Sequence, residues 1–389
     1  MNDPKPVILI GPRADDPAES VSAVNRSFVE GLSDHYRFVE HGSNRRFGMD
    51  RQTSLNPLNA LYFLKHAMEW LWHLIRHRPA IAHYVLNSEW ALVKSLVLIR
   101  MARVFGAKTV GHLHDGKFIS FLERLPRWKK RIALRELLAL DGFVVLSEWW
   151  HAAIADALRP CPEKLFVVNN SIDREFESTA LSMPCQRDEL VILSLGVMGR
   201  PKGVFDLIEA AAMIQSRGRF RLILVGPERE PDIHRQVREY VANHSLSDTV
   251  EIRGGVFGSE KIDLYRAASV FVLPSHYENF PLVVLEAAAA GQAIITTPVG
   301  AVPEFFEDGV SALFVQPGKP DQLAAALARL IEHPEERVRL GLAARQTFVS
   351  RLSRSQVMNS MHHVYQQVLA GPPSTLSKAD GKNLNACKR

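Results

Sequence analysis

Cysteine is scarce: Cys161, Cys185 and Cys387 are the only three in 389 residues, far apart and odd in number. With no CxxC pair and no Cys/His cluster, the chain encodes neither a zinc module nor a disulfide framework, and a reducing cytoplasm is the expected setting. Long apolar runs are missing too. The best stretch, Ala91 to Phe105, is broken by Lys94, Arg100 and Arg103, which excludes a membrane span. The opening MNDPKPVILIGP has no basic segment and no cleavage site, so no signal peptide is expected. No Gly-x-Gly-x-x-Gly follows a strand; the nearest cluster, Gly196 to Gly203, is spaced differently and holds a lysine, which argues against a dinucleotide-binding dehydrogenase. The net charge of +5 suits an anionic ligand or membrane surface but is too small to argue for nucleic acid.

What the sequence does have is alternation. Short apolar runs and amphipathic helical stretches follow one another from end to end, the pattern of a parallel α/β architecture. Expected strands in the first half are Val7–Ile10, Ile81–Leu86, Thr109–Leu113, Gly142–Leu146 and Leu165–Val168; Leu58–His77 and Ala91–Val104 read as helices between them. A polar lapse over Ser178–Glu189 reads as a linker. The second half gives Leu190–Leu195, Arg221–Val225, Val250–Arg253, Val270–Leu273, Ala293–Thr296 and Ala312–Val315 as strands, with helices over Val204–Gln215 and Gln322–Glu332. Two domains are therefore expected, 1–184 and 185–370, with the last helix free to pack back on the first lobe and a disordered tail over 371–389. Two such lobes would place the carboxyl ends of two sheets around one cleft.

The most informative stretch is Pro274 to Gly291, PSHYENFPLVVLEAAAAG. Pro281 falls where the first turn of a helix tolerates proline, and Gly291 stops that helix. Glu278 then lies in the loop at the helix mouth and Glu286 lies inside, among residues fit for burial. A buried carboxylate is costly unless satisfied. A ribose could donate two hydroxyl hydrogen bonds to it, while the helix N-terminus suits a diphosphate. The competing reading pairs Glu286 with a lysine or arginine elsewhere and leaves Glu278 solvated.

The Glu278–Glu286 spacing resembles the Glu-x7-Glu motif of retaining GT-B glycosyltransferases of family 4. The block PSHYENFPLVVLEAAAAGQAIITTPVGAVPEFFEDGVSALFV resembles that family's donor site, as do LSLGVMGRPKGVFDLIEAAAMI, LILVGP and VEIRGGV, so the resemblance covers nearly all of Leu190–Leu330. It implies a GT-B fold of two facing Rossmann-like domains and retention of anomeric configuration. The donor would be a nucleotide diphosphate sugar, with Glu286 on the ribose and Glu278 against the transferred sugar. The backbone N–H groups of Asn279, Phe280 and Leu282 would face the phosphates. Lys202, beside Gly203 in a strand-to-helix loop, matches the family lysine that partners departing diphosphate charge. The usual arginine position holds Val197, with Arg200 displaced by three residues.

In the first half, IAHYVLNSEW, GAKTVGHLHDGKF, LSEWW and VVNNSID resemble family segments more loosely. His114, at the end of an expected strand, matches the family histidine near the reacting centre, while His112 reads as a loop cap. Asn170 and Ser171 resemble a motif that often carries glycine where Ser171 stands. Glu19 and Ser20 stand where relatives often show a glycine pair, and an acid there would repel phosphate. From Glu123 to Arg135 six basic residues face one acidic residue; Arg127, Arg131 and Arg135 share a helix face near Trp128 and Ile132. Arg124–Arg135 is thus a candidate contact with an anionic membrane at the inner face of the cytoplasmic membrane, against the alternative of a solvated basic face.

The function implied is transfer of a hexose-type sugar to a glycan or lipid-linked acceptor in polysaccharide or glycolipid assembly. No Asp-x-Asp occurs, so no metal or other cofactor is expected. Two other readings stay open: a sugar-nucleotide epimerase on the same fold, which needs no acceptor, and a non-catalytic nucleotide-sugar binding protein.

Overall fold

The computed structural model describes residues 4–14, 20–43, 57–159, 162–184, 190–228 and 230–371. In chain order the elements are β1 (Val7–Ala14), α1 (Ser20–Leu32), β2 (Arg37–Ser43), α2 (Pro57–His77), β3 (Ile81–Leu86), α3 (Glu89–Val104), β4 (Lys108–Leu113), α4 (Phe118–Arg124), α5 (Arg127–Leu138), β5 (Gly142–Val145), α6 (Glu148–Leu158) and β6 (Leu165–Val167). They continue with α7 (Arg174–Leu181), β7 (Val191–Leu195), α8 (Val204–Met213), β8 (Arg221–Val225), α9 (Ile233–Asn243), β9 (Val250–Arg253), α10 (Gly258–Ala267), β10 (Val270–Leu273), α11 (Leu282–Ala289) and β11 (Ala293–Thr296). The last are α12 (Val302–Phe305), β12 (Leu313–Phe314), α13 (Pro320–Glu332), α14 (Pro334–Thr347) and α15 (Arg354–Ala370). Glu19 and the expected tail after Gly371 lie outside the described residues.

The chain forms two compact units, Met1–Asn169 with Ser355–Arg389, and Asn170–Arg354. The division differs from a break at 184/185. The stretch from Ser178 that reads as linker is in part helix: Asp173 accepts from the N–H groups of Glu175 and Phe176 and starts α7, which packs on α10 and α11 of the second unit. Residues 185–189 of that stretch lie outside the described residues.

Each unit is built on a six-stranded sheet, ordered β2-β1-β3-β4-β5-β6 in the first and β12-β11-β10-β7-β8-β9 in the second. All ladders are parallel. Strands covered on both faces must be apolar throughout, and β3, β5, β10 and β11 are fully buried over their whole length. In the first unit α15 closes the sheet from behind, with Tyr365 donating to or accepting from His83 Nδ1 at 2.6 Å. In the second, the order reverses between β7 and β10. Loops leaving the carboxyl ends of the two strands at such a reversal flank the usual ligand crevice of an open α/β sheet.

Candidate donor site in the second unit

The two loops at that reversal carry Lys202 and Glu278. After β7 the chain makes a short 3-10 turn over Arg200–Lys202, and Gly203 then turns left-handed (φ 71°) to start α8. A side chain at Gly203 would run into the Pro274 carbonyl, so glycine is what lets this loop lie against the one after β10. The contact is sewn by His276, whose N–H donates to Pro201 O at 2.9 Å and whose Nε2 is 2.7 Å from Asp206 Oδ2. Across it, Lys202 Nζ donates to Glu278 Oε1 at 2.5 Å, and Ser275 Oγ donates to the same oxygen at 2.9 Å.

Behind Glu278 the loop is fixed by backbone contacts. Asn279 O accepts from Ala301 N at 2.8 Å, and a Cβ on Gly300 would overlap the carbonyls of Glu278 and Asn279. Phe280 is buried and stacks on Phe305 at 5.0 Å, and its carbonyl accepts from Asn170 Nδ2 at 2.8 Å. The N–H groups of Asn279, Phe280 and Leu282 have no backbone acceptor among the described residues. They open onto the first turn of α11, where unpaired donors are expected. The Asn279 side-chain amide is itself buried at both polar atoms and unpartnered. A buried amide with nothing to bond is destabilising unless a ligand or water completes it. Sequence reading assigned only the backbone of Asn279.

Glu286 lies more than a turn inside α11 at 4% exposure, among Val284, Leu285 and Ala287 to Ala290, all 0%. The small alanines let α7 and α14 pack closely on this helix. Glu286 is not left bare. Lys261 Nζ donates a short hydrogen bond to Oε1, and Tyr265 OH donates to Oε2 at 2.9 Å. Burial, and then the Glu286 charge, push the Tyr265 phenol well above its usual range, so it stays a donor. Lys261 and Tyr265 stand one turn apart on α10, a pairing by helical spacing that only the fold brings to Glu286. The ion-pair reading of Glu286 is therefore realised, but each carboxylate oxygen has more than one lone-pair direction, and ribose hydroxyls can share them.

Arg200 does not join the Lys202–Glu278 pair; its guanidinium stacks over the Phe205 ring at 4.5 Å. Val197 is half-buried beside Met198, which bridges to Glu228.

His114 belongs to the first unit. It follows β4, its N–H donates to Leu86 O at 3.3 Å, and its buried Nε2 has no partner. Burial lowers its pKa to about 4, so the ring is neutral at pH 7. His112 is no loop cap: it is in β4, fully buried, with both ring nitrogens unpartnered, because alternate strand residues point into the layer shared with His83 and Phe28. Among the described residues His41, His66 and Glu69 come near enough to hold a metal, but His41 and His66 already share a hydrogen bond at 3.1 Å and Tyr84 OH reaches His66 at 3.3 Å.

Residues 182–347 match the family model for glycosyl transferases group 1. Over 212 residues the chain is 33% identical to the MMP alpha-(1->4)-mannosyltransferase of Mycolicibacterium hassiacum, covering 54% of this chain and 50% of that protein. The chain thus spans about half the length of that relative. Sucrose-phosphate synthase from Thermosynechococcus elongatus superposes with a TM-score of 0.75 at 19% identity, covering 94% of this chain and 100% of the other. Anabaena HepE in complex with UDP gives 0.69 at 17% identity, covering 93% and 99%. The fold is the GT-B type, and the family match supports the group 1 glycosyltransferase superfamily.

Proposed function

We propose that this chain is a retaining, metal-independent hexosyltransferase of family 4. It takes its sugar from a nucleotide diphosphate and passes it to a glycan or lipid-linked acceptor in polysaccharide or glycolipid assembly. The observation that carries the reading is the Lys202–Glu278 pair, set at the strand reversal of the second sheet and at the mouth of the helix that holds Glu286. An anionic sugar nucleotide accounts for all three charges at once.

In this reading Glu286 accepts the ribose hydroxyls, with Tyr265 fixing its orientation. The N–H groups of Asn279, Phe280 and Leu282 bind the diphosphate, and Gly203 keeps the lysine loop close enough to serve it. Lys202 stabilises charge on the leaving group, which is worth most where it develops in the transition state. Glu278 contacts the sugar ring while holding Lys202. The acceptor is bound by the first unit, where neutral His114 serves the reacting centre as a hydrogen-bonding group. The acceptor hydroxyl attacks the anomeric carbon on the face from which the diphosphate leaves. Arg124–Arg135 contacts an anionic membrane on the cytoplasmic side, which suits a lipid-linked acceptor. The side chains that hold Glu286, Lys261 and Tyr265, and the unpartnered Asn279 amide support a preorganised site with room for a polar ligand.

The test is calorimetric binding of UDP, GDP and ADP in EDTA, for the wild type and Glu286→Ala. Micromolar binding of one nucleotide, weakened in the variant, is the expected result and fixes the donor class. A folded protein that binds none of the three sinks the donor site. Release of free epimerised sugar from a nucleotide sugar would instead point to the isomerase.

A further inference from the structure

Helix α2 is apolar on two separate faces. Inward, Trp70 and Leu74 are buried in the first core, with Phe63 and Ala67 packed against it. Outward, Leu61, Leu64, Met68, Trp72 and Ile75 are 64%, 56%, 57%, 57% and 58% exposed. Their spacings of three and four residues put them in one strip about 80° wide at 3.6 residues per turn. The strip does not end with α2. On α3, which packs beside it, Val93, Val97 and Val104 are also exposed, and on α5, which packs beside α3, Trp128 and Ile132 are. Single exposed apolar residues are ordinary, but ten of them on three successively packed helices, five in one strip of α2, mark a contact surface.

Charge says what the contact is with. Along α5, Arg127, Lys130 and Arg131 have no acidic partner among the described residues, and Lys129 only overhangs Trp128. The buried Glu136 is taken up by Arg100, Arg103 and Arg135. A second copy of the chain would set this basic border against itself, whereas an anionic bilayer offers both hydrocarbon and the opposite sign. No helix of the described residues is long and apolar enough to cross a membrane; a helix with an apolar outer strip beside basic residues lies in the interface instead.

We infer that the α2–α3–α5 face of the first unit docks on an anionic lipid bilayer, with the outer strip of α2 inserted among the lipids and α5 at the headgroups. The inference rests on the membrane contact proposed above for α5 and assigns its apolar seat to α2; it does not depend on the donor-site reading.

The experiment is co-sedimentation of the full chain with vesicles of phosphatidylcholine alone or mixed with phosphatidylglycerol, beside its mass in solution. One variant is Leu64→Ser, Met68→Ser and Trp72→Ser together; a second is Lys129→Glu with Lys130→Glu. Four of the five positions are exposed and Lys130 is half-buried, and circular dichroism and nucleotide binding report separately on folding and on the donor site. The expected result is binding to the mixed vesicles, reduced by roughly tenfold or more in the α2 variant. Brominated acyl chains should quench tryptophan emission in the wild type, and less so in the α2 variant. Full binding and quenching by the α2 variant, with loss only in the α5 variant, overturns the insertion and leaves the α5 contact standing. Failure of the wild type to bind either vesicle overturns both. A dimer that the α2 variant splits, without lipid binding, assigns the strip to a second copy and also overturns the inference.

Discussion

Both units bury polar groups, but they satisfy them by different means. In the second unit the buried carboxylate of Glu286 is met by Lys261 and Tyr265, and Glu278 by Lys202 and Ser275. In the first, His83 stacks on His112 and His114 lies tilted beside it, a run in which four ring nitrogens have no partner among the described residues. Burial holds these rings neutral, lowering His114 to about 4, His83 to about 3, and His112 well below its ordinary value. A site of compensated charges can receive an anion by sharing its cations. Of these neutral rings His83 and His112 are sealed in the core, and only His114 is placed to offer a single hydrogen bond, which suits a hydroxyl. The division proposed above, with the nucleotide on the second unit and the acceptor on the first, is what this contrast puts to the test.

The largest effect that could break this comparison comes from pH. The folded pKa values of the three histidines lie below their ordinary value of 6.5. As pH falls below about 6.5, the unfolded chain takes up protons that the folded unit refuses, so stability present above that pH is lost progressively, toward about 4 for His114 and about 3 for His83. Each ring contributes up to about 1.4 kcal/mol per pH unit. Pulse proteolysis at pH 7 and pH 5 should show first-unit peptides cut at acid pH while second-unit peptides persist, and His112→Leu should flatten the dependence. Equal acid sensitivity of both units would remove the distinction.

Next in size is Lys202→Ala. It removes the cation assigned to the leaving group and leaves Glu278 with Ser275 alone. Turnover should fall by about 10²–10³-fold, near 3–4 kcal/mol, in steady-state transfer assays. Little change in nucleotide affinity would mark the lysine as acting in the transition state, and an equal loss of affinity would mark it as a binding residue.

Glu286→Gln tests the other pair. A charged hydrogen-bond acceptor is worth about 1.5–3 kcal/mol, so nucleotide binding by calorimetry should weaken roughly ten- to a hundredfold. Tyr265→Phe should cost less, about 1 kcal/mol of stability by denaturant unfolding, because Lys261 remains. If both variants bind nucleotide as the wild type does, Glu286 is a structural ion pair and its charge serves the fold alone.

The uneven legibility of the two units has the same physical root. Strands β3, β10 and β11 can be read to the residue because a parallel strand buried on both faces is a nearly unbroken apolar run. Strand β2, RFVEHGS, escapes because it is an edge strand and needs no such run. The candidate donor site is legible where it is local: Glu278, Asn279, Phe280, Leu282 and Glu286 fall within one loop and helix, and Lys202 in one neighbouring loop. Its supports are not. Lys261 and Tyr265 meet Glu286 from 25 and 21 residues away, and no local pattern announces them. His112 misleads for the opposite reason, since a histidine in a strand core looks like a loop residue until the strand's facing is known.

The smallest expected effect belongs to Arg200, and it sharpens the account of how many cations the donor site uses. Its guanidinium is spent on the Phe205 ring, which in turn packs edge-on to Tyr240 at 5.1 Å. A surface cation–π contact is worth about 0.5–1 kcal/mol, and Arg200→Ala should cost no more than that in thermal or denaturant unfolding. Transfer should fall only a few-fold if, as proposed, Lys202 and the N–H groups at the start of α11 serve the diphosphate. A hundredfold loss would mean that donor binding pulls Arg200 off Phe205. Phe205→Leu decides between the two: releasing the ring should leave transfer unchanged if Arg200 is a surface residue, and should raise it if the stack withholds a working cation.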